Sequence, residues 1–190
     1  MLRTALNVIG VKKQAMKDDF TVGEIGYDDA KSIITQHHYL GKIYDEHDER
    51  VREYKYYGLY DKDVLVGAIQ YTSYCPIFCG DEALRWYYGC DYSDYTKFYE
   101  ISRLAVNSKE YNITSWFVSR TMKMVDADYI CTSTDSRMHD GIIYAACNMD
   151  FHGIMLDRAD GYEDIPFNVF SRVYNKDVVR EWKTKQLDTI

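Results

Sequence analysis

Tyr99-Glu100-Ile101-Ser102-Arg103-Leu104-Ala105-Val106, Asn112-Ile113-Thr114-Ser115-Trp116-Phe117-Val118, Ala127-Asp128-Tyr129-Ile130-Cys131-Thr132-Ser133-Thr134 and Asp140-Gly141-Ile142-Ile143-Tyr144-Ala145-Ala146-Cys147 are four consecutive runs between Tyr99 and Gly153. Their reading decides the fold. The first, entered from Phe98, alternates large apolar with polar side chains, the period of a half-buried strand. The second places capping residue types ahead of apolar positions at helical spacing that continue to Met122 and Val125. The third is another strand and exits into polar Asp135-Ser136. The fourth is a helix opened at Asp140-Gly141 and closed at Asn148, a residue type that tolerates the left-handed conformation of a helix end. Polar strand exits followed by helices are what a site at the edge of an open sheet requires.

Upstream, Tyr54 to Tyr60, the turn Asp61-Lys62-Asp63 and Val64 to Tyr71 predict a hairpin. Val64-Leu65-Val66-Gly67-Ala68-Ile69 is almost wholly apolar and fits a central strand covered on both faces. Phe20 to Ile25 is a short strand. Asp28 or Asp29 can cap a helix that runs through Ile33-Ile34 into His37-His38-Tyr39-Leu40, with Gly41 as its stop. Residues 1–19 form a lysine-bearing arm, residues 44–52 a charged surface loop, and residues 72–98 a long aromatic insertion with a short helix near Glu82 to Tyr87. Downstream, Ile154-Met155-Leu156 and Val169 to Tyr174 predict paired strands, and residues 176–190 a polar tail.

At 190 residues the chain fits one domain with a sizeable core. No stretch reaches the length of a membrane span and no leader pattern is visible, so a cytoplasmic protein without membrane contact is expected. Five Cys without a regular framework suit a reducing compartment. Cys75, Cys79 and Cys90 lack a matched second pair, which favours ordinary thiols over a metal site. A formal net charge of −7 excludes a protein coated in basic surface, so any contact with nucleic acid needs a local basic patch.

The order of elements resembles the acyl-coenzyme-A-dependent N-acetyltransferase fold of the GNAT type. That implies an α/β (α+β) domain with a mixed, mostly antiparallel sheet, a central parallel splay and helices on both faces. His38-Tyr39-Leu40-Gly41, Ile101-Ser102-Arg103-Leu104-Ala105-Val106, Asn112 with Ser115, Thr132-Ser133-Thr134-Asp135, Tyr144-Ala145-Ala146-Cys147 and Phe151-His152-Gly153 together resemble the Mom family of phage DNA-modification proteins over roughly residues 30 to 155. The resemblance implies an enzyme that converts the exocyclic amine of DNA adenine to a carbamoylmethyl derivative and so protects phage DNA from restriction. It carries Arg103, Asp135 and Tyr144 over as catalytic residues, with His38, Tyr39 and Ser133 as substrate-binding residues. Acetyl-CoA or another acyl donor is implied, with the helix start at Asn112, Thr114 and Ser115 as its binding segment. The stretch Asn107-Ser108-Lys109-Glu110-Tyr111 has no Gly, unlike the general acetyltransferase turn, and Asn148-Met149 stands where relatives carry Gly-Phe.

Each residue also has a plainer reading. Arg103 on an apolar strand either grips an anion or pairs structurally with an acid such as Glu100. Asp135 is a general base, a group that orients the attacking amine, or a turn cap. Tyr144 is a general acid, a stacking surface or core packing. His37 and His38 point in different directions on a helix, so at most one faces a given pocket, and both can equally sit at a solvated helix end. With nineteen Tyr in the chain, Trp86-Tyr87-Tyr88 reads as packing or as a stacking platform. The expectation that joins these readings is a single cleft holding Arg103, Asp135 and Tyr144, closed by His38 or Tyr39. For a base flipped out of duplex DNA, the mouth would carry aromatics from 72–98 and the cations Lys42, Arg50, Arg52 or Lys55.

Overall fold

The structure is a computed structural model that describes residues 19–45, 51, 53–73, 97–157 and 165–174. The arm at 1–18, Arg50 and Arg52, the aromatic segment 74–96 and the tail lie outside the described residues, together with the expectations placed on them. No helix among the described residues is long and apolar enough to cross a membrane.

Among the described residues, seven strands form one sheet. They are β1 (Phe20–Glu24), β2 (Tyr54–Asp61), β3 (Val64–Thr72), β4 (Phe98–Val106), β5 (Tyr129–Asp135), β6 (Asp150–Asp157) and β7 (Ile165–Val173), in the order β1-β2-β3-β4-β5-β7-β6. Every adjacent pair is antiparallel except β4 with β5. That parallel pairing is short, running only from Phe98↔Tyr129 to Glu100↔Cys131. Beyond it the strands part, and the Thr132 hydroxyl spans the start of the split by donating to the Ile101 carbonyl at 3.0 Å.

Helices cover both faces. On one, Ala30 and Ile34 of α1 (Tyr27–His37) pack on Tyr56, Ala68 and Ala105. On the other, Phe117, Val118 and Met122 of α2 (Ile113–Met124) and Tyr144 of α3 (Ile142–Ala146) join Tyr57, Ile69, Tyr71, Ile101, Ile130 and Phe170. Each fully buried apolar side chain in these layers contributes about 1.5–3 kcal/mol.

One irregularity in β4 sets the chemistry of the sheet. Gln70 of β3 stands opposite Arg103 but Tyr71 stands opposite Ile101, so Ser102 is an extra residue in β4. Strict alternation would put residues 101, 103 and 105 on one face. The bulge inverts the phase: Ile101 enters the α2 core while Ala105 enters the α1 core. The Ser102 hydroxyl is held by the Thr72 hydroxyl at 2.6 Å.

Both ends of α1 differ from the sequence reading. The cap of α1 is Gly26, with Asp28 and Asp29 inside the first turn, where carboxylates favour the positive end of the helix dipole. The helix stops at His37, and His38 to Gly41 form a turn closed by the Gly41 N–H to the His38 carbonyl at 2.8 Å. Asn148 has φ 58°, the left-handed geometry its residue type allows.

Candidate functional site

The split between β4 and β5 opens into a cleft of about 620 Å³ that brings together Arg103, Asp135, Tyr144, His38, Tyr39 and Ser133. Strand β4 delivers Arg103, the end of β5 delivers Ser133 and Asp135, α3 delivers Tyr144, and the turn after α1 delivers His38 and Tyr39. Both neighbouring histidines line the cleft, His38 half-buried and His37 exposed, so the expectation that at most one faces a pocket fails. His38 lies past the helix end in extended backbone, where helical spacing no longer separates the two. Of the three residues expected at the start of α2, Thr114 lines the cleft and Asn112 and Ser115 do not. Asn112 sits at φ 62° and its side chain caps nothing, while the Ser115 hydroxyl donates to the Asn112 carbonyl at 3.1 Å.

Arg103 does not pair with Glu100. Among the described residues its Nε donates to the Lys42 carbonyl at 3.0 Å, its Nη1 donates to the Ser102 carbonyl, and its guanidinium lies over the Tyr44 ring at 4.4 Å. Two carbonyls and an aromatic face fix the fork without neutralising its charge, which leaves a cation in the cleft for an anion. Lys42 contributes this carbonyl. Lys55, expected at the mouth, lies elsewhere: its ammonium is 3.4 Å from Glu53 and sits over the Tyr99 ring.

Asp135 is tied to Arg137 by Nε at 2.9 Å, Nη2 at 2.7 Å and the Arg137 backbone N–H at 3.0 Å. These hydrogen bonds hold its carboxyl below the usual carboxylate range. The same residue shapes its turn, because its carbonyl accepts the N–H groups of Met138 and His139 at 3.0 and 2.9 Å.

The aromatic wall is continuous. The rings of His38 and Tyr39 stack at 4.5 Å, and Tyr39 meets His139 edge-on at 5.4 Å. The Leu40 N–H donates to His38 Nδ1 at 3.2 Å, so the neutral ring carries its proton on Nε2. Burial, then Arg103 and His139, lower the His38 pKa to about 4, which makes it a neutral donor near pH 7. Burial pushes the Tyr144 hydroxyl up to about 12, so it keeps its proton.

The match to known proteins agrees with this geometry. The family model of the Mom protein family matches residues 19–185. The chain belongs to the Mom family. No curated protein matches its sequence. Solved structures place the Mom-family chain in the GNAT acetyltransferase fold. The spermidine/spermine N-acetyltransferase SpeG of Vibrio cholerae aligns with TM-score 0.54 at 10% identity, covering 87% of this chain and 99% of that one. An N-acetyltransferase of Staphylococcus aureus Mu50 aligns with TM-score 0.55 at 11% identity over 81% and 98%. FeeM, an N-acyl amino acid synthase from uncultured soil microbes, gives 0.53 at 18% identity over 87% and 93%.

Arg137, His139, Tyr44 and Gln70 escaped the sequence reading. The first two stand in the polar run Asp135-Ser136-Arg137-Met138-His139-Asp140 that leaves β5, and that run was the available signal. Tyr44 and Gln70 had no local signal.

Proposed function

We propose that this chain is a Mom-type DNA-modifying transferase that converts the exocyclic amine of adenine to a carbamoylmethyl derivative, protecting phage DNA from restriction. The observation that carries the reading is the convergence of Arg103, Asp135 and Tyr144 with an aromatic His38–Tyr39–His139 wall in one cleft of a Mom-family chain. A flipped adenine presents two π faces and a weakly nucleophilic amine, and aromatic walls stack on the former. Asp135, held ionised, accepts a hydrogen bond from the amine and orients it. Tyr144, which keeps its proton, is the donor to developing negative charge. Arg103 grips an anionic group of the donor or of the nucleotide. The cleft is not rimmed by carboxylates alone, since Arg103 and Arg137 stand beside Glu100 and Asp135.

The fold supports an acyl-CoA donor in general: yncA of Salmonella typhimurium, with TM-score 0.52 at 10% identity, holds acetyl-CoA as its cofactor. Thr114 at the start of α2 and the Arg103 fork suit the phosphates of such a donor. The electrophile matters to the product. Acetyl transfer joins the amine to a carbonyl carbon with release of the thiol, whereas a carbamoylmethyl group joins it to a saturated carbon. An acetyl donor therefore does not give the proposed product: the amine must displace a leaving group from a CH2 carbon of the donor and lose a proton. Expression in bacteria, digestion of the DNA to nucleosides and mass spectrometry separate the two. Carbamoylmethyl-adenine is the expected product, and unmodified adenine from a folded, expressed protein would defeat the reading.

The net charge of −7 favours a second reading, an N-acyltransferase acting on a small molecule or protein rather than on a polyanion. Acetylation of free amines without a DNA product selects it.

A further inference from the structure

Gln70 is wholly buried on β3, yet it is not an apolar filler of the sheet. Its carboxamide makes both hydrogen bonds that a neighbouring strand would make. Oε1 accepts the Tyr44 N–H at 3.2 Å and Nε2 donates to the Tyr44 carbonyl at 3.1 Å, across 26 positions of sequence. Residues 41–45 have no regular structure of their own, so this side chain replaces the ladder that would otherwise hold them against the sheet.

The segment fixed in this way carries the contacts that fix Arg103. The Lys42 carbonyl accepts Nε at 3.0 Å and the Tyr44 ring lies under the guanidinium at 4.4 Å. Gln70 and Arg103 are also direct partners across β3 and β4, beside the Ser102 bulge. The three residues close a circuit: Gln70 holds the Tyr44 backbone, Tyr44 holds the Arg103 fork, and the ladder ties Arg103 back to Gln70.

We infer that Gln70 is a positioning residue which, through the Tyr44 backbone, aims the Arg103 guanidinium into the cleft. The inference rests on the reading of Arg103 as the anion-gripping cation of the proposed transferase. A buried amide answered on both sides by one backbone unit is well suited to this task. Neither an aliphatic side chain nor a carboxylate satisfies the N–H and the carbonyl of Tyr44 together.

The test reads Arg103 directly. In the full-length protein carrying isotope-labelled arginine, the Nε–H signal of Arg103 is assigned by its loss in Arg103→Lys. Its solvent exchange is then followed in wild type, Gln70→Leu and Tyr44→Leu. Exchange should be slow in wild type and roughly tenfold faster in Gln70→Leu, the loss expected when two neutral hydrogen bonds no longer hold the segment. Tyr44→Leu, which keeps the backbone pairing, should accelerate it less. Unchanged exchange in a natively folded Gln70→Leu overturns the inference. If that variant does not fold, Gln70→Glu, which keeps the acceptor and loses the donor, decides by the same criterion. Product formation supplies a separate readout: Gln70→Leu should reduce modified adenine in the wild-type background and have little further effect on Arg103→Lys, whereas full additivity would assign Gln70 a merely structural role. Absence of product in wild type defeats the functional reading and leaves the exchange measurement to judge Gln70.

Discussion

Arg137 grips Asp135 with two parallel side-chain N–H groups, at 2.9 and 2.7 Å, and adds its own backbone N–H at 3.0 Å. A carboxylate so engaged is a weak base and a well-oriented acceptor. Its orientation is inherited from the turn that follows β5, because the pair is only two residues apart. The negative charge of Asp135 therefore enters the cleft already compensated, while the positive charge of Arg103 does not.

Asp135→Asn keeps the shape and removes the charge. The Arg137 side chain is half exposed, so solvent screens much of the pair, and the substitution should cost about 1 kcal/mol at pH 7 in urea unfolding. The folded-state pKa is lowered, so the contribution is present above the unfolded carboxyl value of about 3.9 and is lost as pH falls through the lower folded value. Wild type and Asp135→Asn should begin to converge in stability below about pH 4 and meet once the pH is below the lower folded value. A stability gap that persists in acid would contradict the ion-pair account.

His38 acts in the same direction over a higher pH window. Its folded pKa of about 4 lies below the ordinary value of 6.5, so the unfolded chain takes up this proton first. Stability should therefore fall as pH drops from about 6.5 towards 4, and His38→Phe should flatten that slope while keeping the stack on Tyr39. Proton NMR of the His38 ring should show no titration between pH 5.5 and pH 8, values well above the midpoint of about 4. A midpoint near neutrality would make His38 a proton carrier rather than a fixed donor.

Tyr144→Phe isolates the hydroxyl. The ring packs on Phe170 at 5.7 Å and stays buried, so the change should cost less than about 1.5 kcal/mol in thermal unfolding. If the hydroxyl is the acid of the reaction, modified adenine should fall by about 10²–10⁴-fold. A product yield near wild type would return Tyr144 to core packing.

Gly141 gives α3 its entry. It sits at φ +74°, and a Cβ there would lie 2.3 Å from Cε2 of Phe170. Gly141→Ala is both strained and overpacked, and should cost about 2–4 kcal/mol. Since α3 carries Tyr144 into the cleft, near-UV circular dichroism should change together with the melting temperature. A thermally neutral Gly141→Ala would mean that the turn re-forms without this geometry.

Most strands were legible: β1, β2, β3, β4 and β5 lie close to where the sequence puts them, β4 by its alternation and β3 by its unbroken apolar run, whereas β7 begins at Ile165, ahead of the expected Val169. The meeting of Arg103, Asp135 and Tyr144 followed from the family resemblance that singled them out together with the element order, since strand ends beside a splayed parallel pair face one opening. Arg103's partners were not legible. The Ser102 bulge reverses the face on which Arg103 stands, and the carbonyl that holds it arrives from 61 positions away in sequence. The end of α1 was overrun because His37-His38-Tyr39 continues its polar pattern, and only the tight His38–Gly41 turn stops it. Arg137 was missed for a different reason: a cation two residues beyond a carboxylate reads as ordinary surface charge until the turn folds one onto the other.

Arg103→Lys separates charge from geometry. Lysine keeps the cation but has no Nε–H for the Lys42 carbonyl and no planar fork to lie on Tyr44. The lost contacts should cost about 1 kcal/mol of stability, small beside the roughly 5–15 kcal/mol that keeps a domain folded, so nearly every molecule remains native. A structural arginine would then leave the yield of modified adenine almost unchanged. An arginine that grips an anion through remaining N–H groups should lose about ten- to a hundredfold, the equivalent of one or two charge-assisted hydrogen bonds. Urea unfolding and nucleoside mass spectrometry on the same preparation measure the two quantities together. A yield that tracks only the folded fraction would remove Arg103 from the reaction and leave it as a brace between β4 and residues 41–45.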